Sequence, residues 1–89
     1  MTKILVVDDE EDLKILIKQR FRQKIRQKEY DFIFAENGKH ALQQLIEHQD
    51  VDLVLSDINM PEMDGLELAE HIRTVDNTIP VIIMTGYPS

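Results

Sequence analysis

The chain has 89 residues, of which 43% are hydrophobic, and its formal net charge is -7 at pH 7; this size and composition predict a single small globular domain. The absence of cysteine excludes disulfide bonds and thiolate metal sites, and the negative charge argues against direct binding to nucleic acid. No apolar stretch has the length of a membrane span or of a signal peptide, so we expect a cytoplasmic protein with no membrane partner.

The N-terminal segment predicts a strand followed by a long helix. Residues 3–8 contain a short, β-branched apolar run, which is typical of a buried parallel strand. Residues 10–28 repeat apolar side chains at helical spacing, and we expect Asp9 to cap the start of this helix. The apolar stripe of the helix consists of Leu13, Leu16, Ile17, Phe21 and Ile25.

The middle of the chain predicts a second strand, a second helix and a third strand. Residues 31–35 have the composition of a strand, and the pair Asn37-Gly38 predicts a turn or a helix cap. We expect a helix from about residue 38 to 48 and a strand over residues 51–57. The inward side of the second helix is predicted to consist of Ala41, Leu42, Leu45 and Ile46.

The C-terminal third predicts a third helix and a fourth strand. The helix is expected from about residue 65 to 73, with Asp64 as its cap and Glu67 at the capping-box position. Residues 81–85 predict the fourth strand. The order β-α-β-α-β-α-β, with short connections, predicts an α/β fold in which helices cover both faces of a doubly wound parallel sheet.

Three carboxylates follow two of the predicted buried strands. Asp8 and Asp9 follow the apolar run 4–7, and Asp57 ends the third strand. Since ligands of open α/β sheets bind at the carboxyl ends of the strands, we expect these side chains to lie together. Like charges at close range need compensation, and an all-oxygen ligand set suits Mg²⁺. The sequence therefore predicts a magnesium site at this edge.

Three motifs resemble those of the receiver domain of two-component response regulators. They are Val-Val-Asp-Asp-Glu at 6–10, Asp-Ile-Asn-Met-Pro-Glu-Met-Asp-Gly at 57–65 and Ile-Met-Thr-Gly at 83–86. The resemblance covers the whole chain and implies the flavodoxin-like fold with strand order 2-1-3-4. Because the family has a further helix, a fifth strand and a final helix, residues 1–89 are expected to be a receiver domain that is incomplete at its C-terminus.

The resemblance implies a role for each residue of the site. Asp57 resembles the phosphoacceptor, which takes a phosphoryl group from the phosphohistidine of a sensor histidine kinase or from a phosphotransfer protein. Asp9 resembles a direct Mg²⁺ ligand, Asp8 a ligand acting mainly through water, and the backbone carbonyl of Asn59 a further ligand. Thr85 resembles the hydroxyl that turns towards the new phosphoryl group. The chain is thus expected to be a switch that assists only its own phosphotransfer and dephosphorylation, not an enzyme.

The resemblance also implies what lies beside the domain. The family's fifth strand carries a lysine that pairs with the phosphoryl group, and neither Lys3 nor Lys39 matches it by position. The open sheet edge at the fourth strand is expected to be covered by a C-terminal effector domain or by a second copy of the chain.

Two other functions are compatible with parts of the sequence. A receiver-like adaptor or dimerisation module that is not phosphorylated is favoured by the missing lysine and disfavoured by the three acids. A Mg²⁺-dependent phosphohydrolase with an aspartyl nucleophile is disfavoured. Haloacid-dehalogenase-like phosphatases have a second Asp two residues after the nucleophile, and the residue two positions after Asp57 is Asn59. Basic residues recur every four positions along the first predicted helix and form a stripe on one side of it. This basic stripe is either a solvated helix face or a docking surface for an acidic partner; it consists of Lys14, Lys18, Arg22 and Arg26.

Overall fold

The computed structural model describes residues 1–58 and 63–84. These residues form β1 (Thr2–Val7), α1 (Glu11–Arg20), α2 (Arg22–Arg26), β2 (Tyr30–Ala35), α3 (Gly38–Glu47), β3 (Leu53–Asp57), α4 (Gly65–Val75) and β4 (Val81–Met84). Apart from the first helix, the observed boundaries differ from the predicted ones by at most two residues. The fourth strand is confirmed as far as Met84, and residue 85 lies outside the described residues. No helix in the described part of the chain has the length and apolar character needed to cross a membrane.

The four strands form one parallel sheet in the order β2-β1-β3-β4, which confirms the predicted flavodoxin-like topology. Val6 pairs with Phe34 on one side and with Leu55 on the other, and Leu55 pairs with Ile82. Paired residues of parallel strands point to the same face of the sheet, and successive residues of one strand point to opposite faces. The two faces therefore carry separate apolar clusters.

The helices cover the two faces of the sheet unequally. α3 and α4 pack on the face that carries Leu5 and Val54, where Leu68 and Ile72 are fully buried. α1 packs on the opposite face, and Ile17 is its one buried side chain. Because full burial of such a side chain contributes about 1.5–3 kcal/mol, the face under α3 and α4 supplies the larger share of the apolar stabilisation.

The single helix predicted over residues 10–28 is wrong, because the structure divides it at Phe21. The backbone there has φ -106° and ψ 17°, so α1 ends and α2 begins one residue later. A straight helix over the predicted range would be about 28 Å long, whereas a six-residue strand spans about 20 Å. The division keeps the chain over the sheet, and the Phe21 ring packs against Tyr30 and Phe32 at centroid distances of 6.0 and 5.4 Å.

Three apolar side chains that the sequence predicts to point inward are exposed instead, and Phe21 is the least exposed of them at 39%. Leu16 is 53% exposed and Ile46 is 67% exposed. Successive helical residues are rotated by about 100°, so Leu16 lies on the flank beside the buried Ile17, and Ile46 lies on the flank beside the buried Leu45. The predicted apolar stripes are therefore wider than the contact that each helix makes with the sheet.

Candidate functional site

The carboxyl ends of the two central strands bring three carboxylates together. Asp57 is the last residue of β3, and Asp8 directly follows β1, in a register that pairs Val7 with Ser56. One carboxylate oxygen from each of Asp8, Asp9 and Asp57 lies within 4.8 Å of the other two. The structure thus places the three acids as the sequence predicts. We call this group the carboxylate cluster.

The carboxylate cluster has a buried side and an open side. Asp8 and Asp57 are 9% and 8% exposed, whereas Asp9 is exposed to solvent. The buried side is held by main-chain pairing, since the N–H of Asp8 donates to the carbonyl oxygen of Ala35 in β2 at 3.0 Å. A cation and its water ligands can therefore approach from the side of Asp9, while the other two carboxylates keep fixed positions.

The environment of the Asp8 carboxyl disfavours its ionised form. Burial is the main cause that raises the pKa of its carboxyl above the usual value; the N–H of Glu10 lowers it, and the negative charges of Asp57, Asp9 and Glu10 raise it further. Asp8 Oδ1 accepts a hydrogen bond from the N–H of Glu10 at 2.8 Å. Its buried Oδ2 accepts none from residues 1–58 and 63–84, and such an oxygen is costly unless a donor or a cation compensates it.

The expectation that Asp9 caps the first helix is wrong. Glu10 occupies the cap position of α1, and its side chain makes no capping hydrogen bond. The acid that accepts a main-chain N–H at this helix start is Asp8. The physical reason is the position of the Asp9 carboxylate, which lies beside Asp8 and Asp57 in the cluster instead of over the first turn of the helix.

The donor set of the carboxylate cluster fits Mg²⁺. This ion takes oxygen ligands, keeps several waters and is bound through a small number of carboxylates. The three acids offer one oxygen each at mutual distances that one ion can bridge, and the divalent charge would compensate both their repulsion and the buried Asp8 Oδ2. The two other predicted site residues, Asn59 and Thr85, lie outside the described residues, so their roles stay predictions.

Gly65 lies directly against the main chain of Asp57. A Cβ atom at Gly65 would lie 2.6 Å from the carbonyl oxygen of Asp57 and 3.1 Å from the Cα atom of Ile58. The N–H of Gly65 donates to the carbonyl oxygen of Ile58 at 3.1 Å, and the Ser56 hydroxyl donates to the carbonyl oxygen of Asp57 at 3.0 Å. In the sequence, Gly65 is identified only as the end of a motif and the start of the third predicted helix. The close approach of α4 to the backbone of Asp57 depends on the fold and has no signal in the sequence.

The predicted cap of α4 by Asp64 is confirmed next to this contact. The Asp64 side chain accepts a hydrogen bond from the N–H of Glu67 at 2.8 Å. This bond satisfies one of the free N–H groups at the start of α4. It therefore stabilises the first turn of α4, which begins with Gly65 and contacts the end of β3.

Comparison with known proteins yields one family. Residues 4–89 match the family model described as the response regulator receiver domain. Sporulation initiation phosphotransferase F of Bacillus subtilis is 39% identical over 85 residues, which cover 96% of this chain and 64% of that protein. The transcriptional regulatory protein ZraR of Escherichia coli is 40% identical over 97% of this chain, which corresponds to 18% of ZraR. The chain thus spans less than two thirds of these curated relatives.

Solved structures give the same picture. The response regulator TrrA of Thermotoga maritima, determined in complex with Mg²⁺-BeF, superposes with a TM-score of 0.81 at 38% identity, over 99% of this chain and 72% of that one. The N-terminal domain of a response regulator receiver protein from Methanoculleus marisnigri superposes with a TM-score of 0.80 at 35% identity, over 100% of this chain and 70% of that one.

Proposed function

The chain belongs to the response regulator receiver domain family of two-component systems, and we propose that it accepts a phosphoryl group on the carboxylate of Asp57. The observation that carries this proposal is the carboxylate cluster, in which Asp57 lies with Asp8 and Asp9 at the carboxyl ends of β3 and β1. Of the three acids, Asp57 is the one that Gly65 and α4 hold through its own main chain, which suits a nucleophile that must keep one orientation.

In the proposed reaction, an Asp57 oxygen attacks the phosphorus atom of a phosphohistidine. The new P–O bond gives an acyl phosphate, the P–N bond breaks, and the imidazole nitrogen keeps the electron pair and takes up a proton from solvent. Because both the carboxylate and the phosphoryl group are anionic, Asp8 and Asp9 contribute by holding a cation beside Asp57. Bound Mg²⁺ neutralises part of the charge on the phosphoryl oxygens.

The relatives support the two finer parts of this proposal. The Bacillus subtilis relative is named a phosphotransferase, and the Thermotoga maritima relative was determined with Mg²⁺-BeF. We extend both properties to this chain by similarity. We also propose the backbone carbonyl of Asn59 as a Mg²⁺ ligand and the Thr85 hydroxyl as the group that responds to the phosphoryl group.

The partners are proposed on the same basis. The phosphoryl donor is a sensor histidine kinase or a phosphotransfer protein, as expected for a member of the response regulator receiver domain family. An effector domain is proposed because ZraR, of which this chain corresponds to 18%, is named a transcriptional regulatory protein. In this account the chain is a switch and not an enzyme, acting on its own Asp57 alone.

The test is the mass of the intact protein after incubation with acetyl phosphate. We expect wild type to gain the mass of one phosphoryl group when Mg²⁺ is present and to gain none with a chelator, because the anionic donor cannot approach the uncompensated acids. Asp57→Asn should gain none in either condition. Asp12→Asn, which removes an exposed acid from the first turn of α1, is the matched control and should behave as wild type.

Three results would contradict the proposal. A mass gain that persists in Asp57→Asn would move the nucleophile elsewhere. No gain in wild type with Mg²⁺ would favour the adaptor that is not phosphorylated. Rapid release of phosphate with turnover of many donor molecules would favour a phosphohydrolase.

A further inference from the structure

A groove on the α1 side of the molecule lies apart from the carboxylate cluster. It has a volume of about 280 Å³ and runs between the helices and β2; it is lined by Lys18, Arg22, Ile25, Asp31, Phe32 and Phe34. None of these residues belongs to the carboxylate cluster. A ligand in this groove would therefore occupy a place separate from Asp57.

The floor of the groove is apolar and its helical wall is cationic. Phe32 and Phe34 are partly buried and pack against Ile4, Val6 and Ile17. The Nζ atoms of Lys14 and Lys18 lie 5.4 and 5.7 Å from the centroid of the Phe34 ring. Two ammonium groups over one ring are attracted by its face but repel each other, so the wall favours an anionic group between them.

The cations of this wall have no acidic partner within the described part of the chain. The ion pairs there use Lys3, with Asp31 and Asp50, and Lys24, with Glu29. Lys14, Lys18 and Arg22 take part in none of them. Residues 14–28 contain no acid, although the whole chain has 17 acids and a net charge of -7. The positive charge is thus concentrated where the protein itself does not neutralise it.

The groove reaches the open edge of the sheet. β2 is an outer strand and, among the described residues, pairs only with β1. Asp31 and Phe32 are successive residues that point to opposite faces, so a groove lined by both extends around the main chain of β2. The outward N–H and C=O groups of an edge strand can pair with an added strand.

We propose that this groove binds an acidic, amphipathic segment of a partner protein, added in extended conformation beside β2. On the face that α1 and α2 cover, an apolar side chain of the segment rests on Phe32 and Phe34. The carboxylates two residues before and two residues after this side chain reach Lys18 and Arg22. Side chains on the other face are uncharged, because Asp31 lies there. The recognised pattern is acid-x-apolar-x-acid, which follows from the two-residue period of a strand.

The other occupants fit less of the groove. A nucleic acid strand carries the required negative charge but has no aliphatic side chain for the apolar floor of Phe32 and Phe34. A neutral apolar peptide would pair with the edge and leave Lys18 and Arg22 uncompensated. The acidic segment uses the charge, the floor and the edge together.

The probe is the synthetic peptide Thr-Glu-Thr-Val-Thr-Glu-Thr, followed by backbone amide NMR of the 89-residue chain. We expect shifts concentrated on Tyr30–Ala35 and slower hydrogen exchange of the outward amides of β2, since these amides gain partners. The same peptide with Gln for both Glu residues should bind at least about fivefold more weakly, because the charge complementarity is lost.

Arg22→Glu and Lys39→Glu are a matched pair of protein variants. Both reverse an exposed cation in the first turn of a helix, but Lys39 lies on α3, away from the groove. Arg22→Glu should weaken binding of the acidic peptide at least about fivefold, and Lys39→Glu should change it by less than about twofold. If Arg22→Glu fails to fold, Arg22→Gln and Lys18→Gln remove charge without reversal and should each weaken binding.

Three outcomes would overturn the proposal. Equal binding of the Glu and Gln peptides would remove the role of charge. Equal losses of peptide affinity in Arg22→Glu and Lys39→Glu would show that binding depends on the net charge of the protein and not on the groove. Displacement of the peptide from β2 by an equal concentration of a thymidine heptanucleotide would make the groove a general polyanion surface.

Discussion

Metal binding and folding stability favour opposite protonation states of the Asp8 carboxyl. A metal site needs this carboxylate ionised, whereas burial and the neighbouring acids raise its pKa and thus favour the protonated form. The folded protein therefore holds this proton more tightly than the unfolded chain does. Ionised Asp8 destabilises the fold as long as no cation compensates it.

We predict that Asp8→Asn is more stable than wild type at neutral pH in metal-free buffer. Asparagine keeps an oxygen for the N–H of Glu10 and removes the buried charge. Because the folded pKa is raised, the penalty is absent below the usual pKa of 3.8 and fully present above the folded pKa. Urea unfolding at several pH values should therefore show a stability difference that grows as the pH rises and vanishes in acid.

Other titrating acids do not disturb this comparison. Hydrogen bonding to Lys3 lowers the pKa of Asp50, and hydrogen bonding to Thr78 lowers the pKa of Asp76. These two groups stabilise the fold above their usual pKa, but they are present in both proteins and cancel in the difference. Added Mg²⁺ should stabilise wild type more than the variant. A variant that is less stable at every pH would contradict the account of Asp8.

Gly65 is a residue whose importance depends on the fold. We predict that Gly65→Ala destabilises the protein by about 1–3 kcal/mol and weakens Mg²⁺ binding, because the new methyl group would displace the backbone of Asp57. Gly38→Ala is the control, since there a Cβ atom meets the Met63 side chain, which has rotatable bonds and can move. Chemical unfolding and metal titration measure both effects. Unchanged metal affinity in Gly65→Ala would show that this contact does not position the site.

The three acids of the carboxylate cluster show what the sequence can predict. Asp8, Asp9 and Asp57 stand at the ends of apolar strands, and a parallel sheet brings such ends together, so their association follows from strand pattern alone. The role of Gly65 and the hydrogen bond that the Asp8 carboxylate accepts at the start of α1 depend on individual contacts, of 2.6 Å to the carbonyl oxygen of Asp57 and 2.8 Å to the N–H of Glu10. Such distances arise from packing and have no signature in the sequence.

The end of α2 requires a backbone conformation that is unfavourable for a residue with a side chain. The N–H of Lys28 donates to the carbonyl oxygen of Ile25 and the N–H of Glu29 to that of Lys24, which is the Schellman pattern of helix ends. Lys28 has φ 60° in this pattern, a region that favours glycine. The helix break at Phe21 and this end were not predicted, because tertiary contact of the Phe21 ring with β2 determines where the chain turns.

We predict that Lys28→Gly stabilises the protein by about 1 kcal/mol, because glycine adopts a positive φ without the steric cost of a Cβ atom. Gln27→Gly is the matched control, since Gln27 has an ordinary helical backbone with φ -80° and should lose stability on substitution. Urea unfolding measures both. A loss of stability in Lys28→Gly similar to that of Gln27→Gly would contradict the assignment of strain to residue 28.

The topology of the sheet is predictable from the sequence, whereas the extent to which other segments cover the faces of the sheet is not. Alternating strands and helices with short connections leave few topologies, and the order β2-β1-β3-β4 follows from the family resemblance. On the α1 side, however, Ile15, Leu16 and Ile82 are about half exposed, at 51%, 53% and 50%. An apolar surface of this kind is typical of a contact with another segment or chain, and the effector domain or second copy expected there stays a prediction.

The central claim is that this fold joins residues from two strands, distant in the sequence but adjacent in the sheet, into one magnesium site. Mg²⁺ titration of four proteins tests it. We predict one binding site in wild type and losses of at least about tenfold in affinity in both Asp9→Ala and Asp57→Asn, because each removes a ligand oxygen from the same ion. Asp12→Ala removes an acid of equal charge from the exposed start of α1 and should bind as wild type does. Wild-type affinity in either Asp9→Ala or Asp57→Asn would contradict the claim that the carboxylate cluster is a single site.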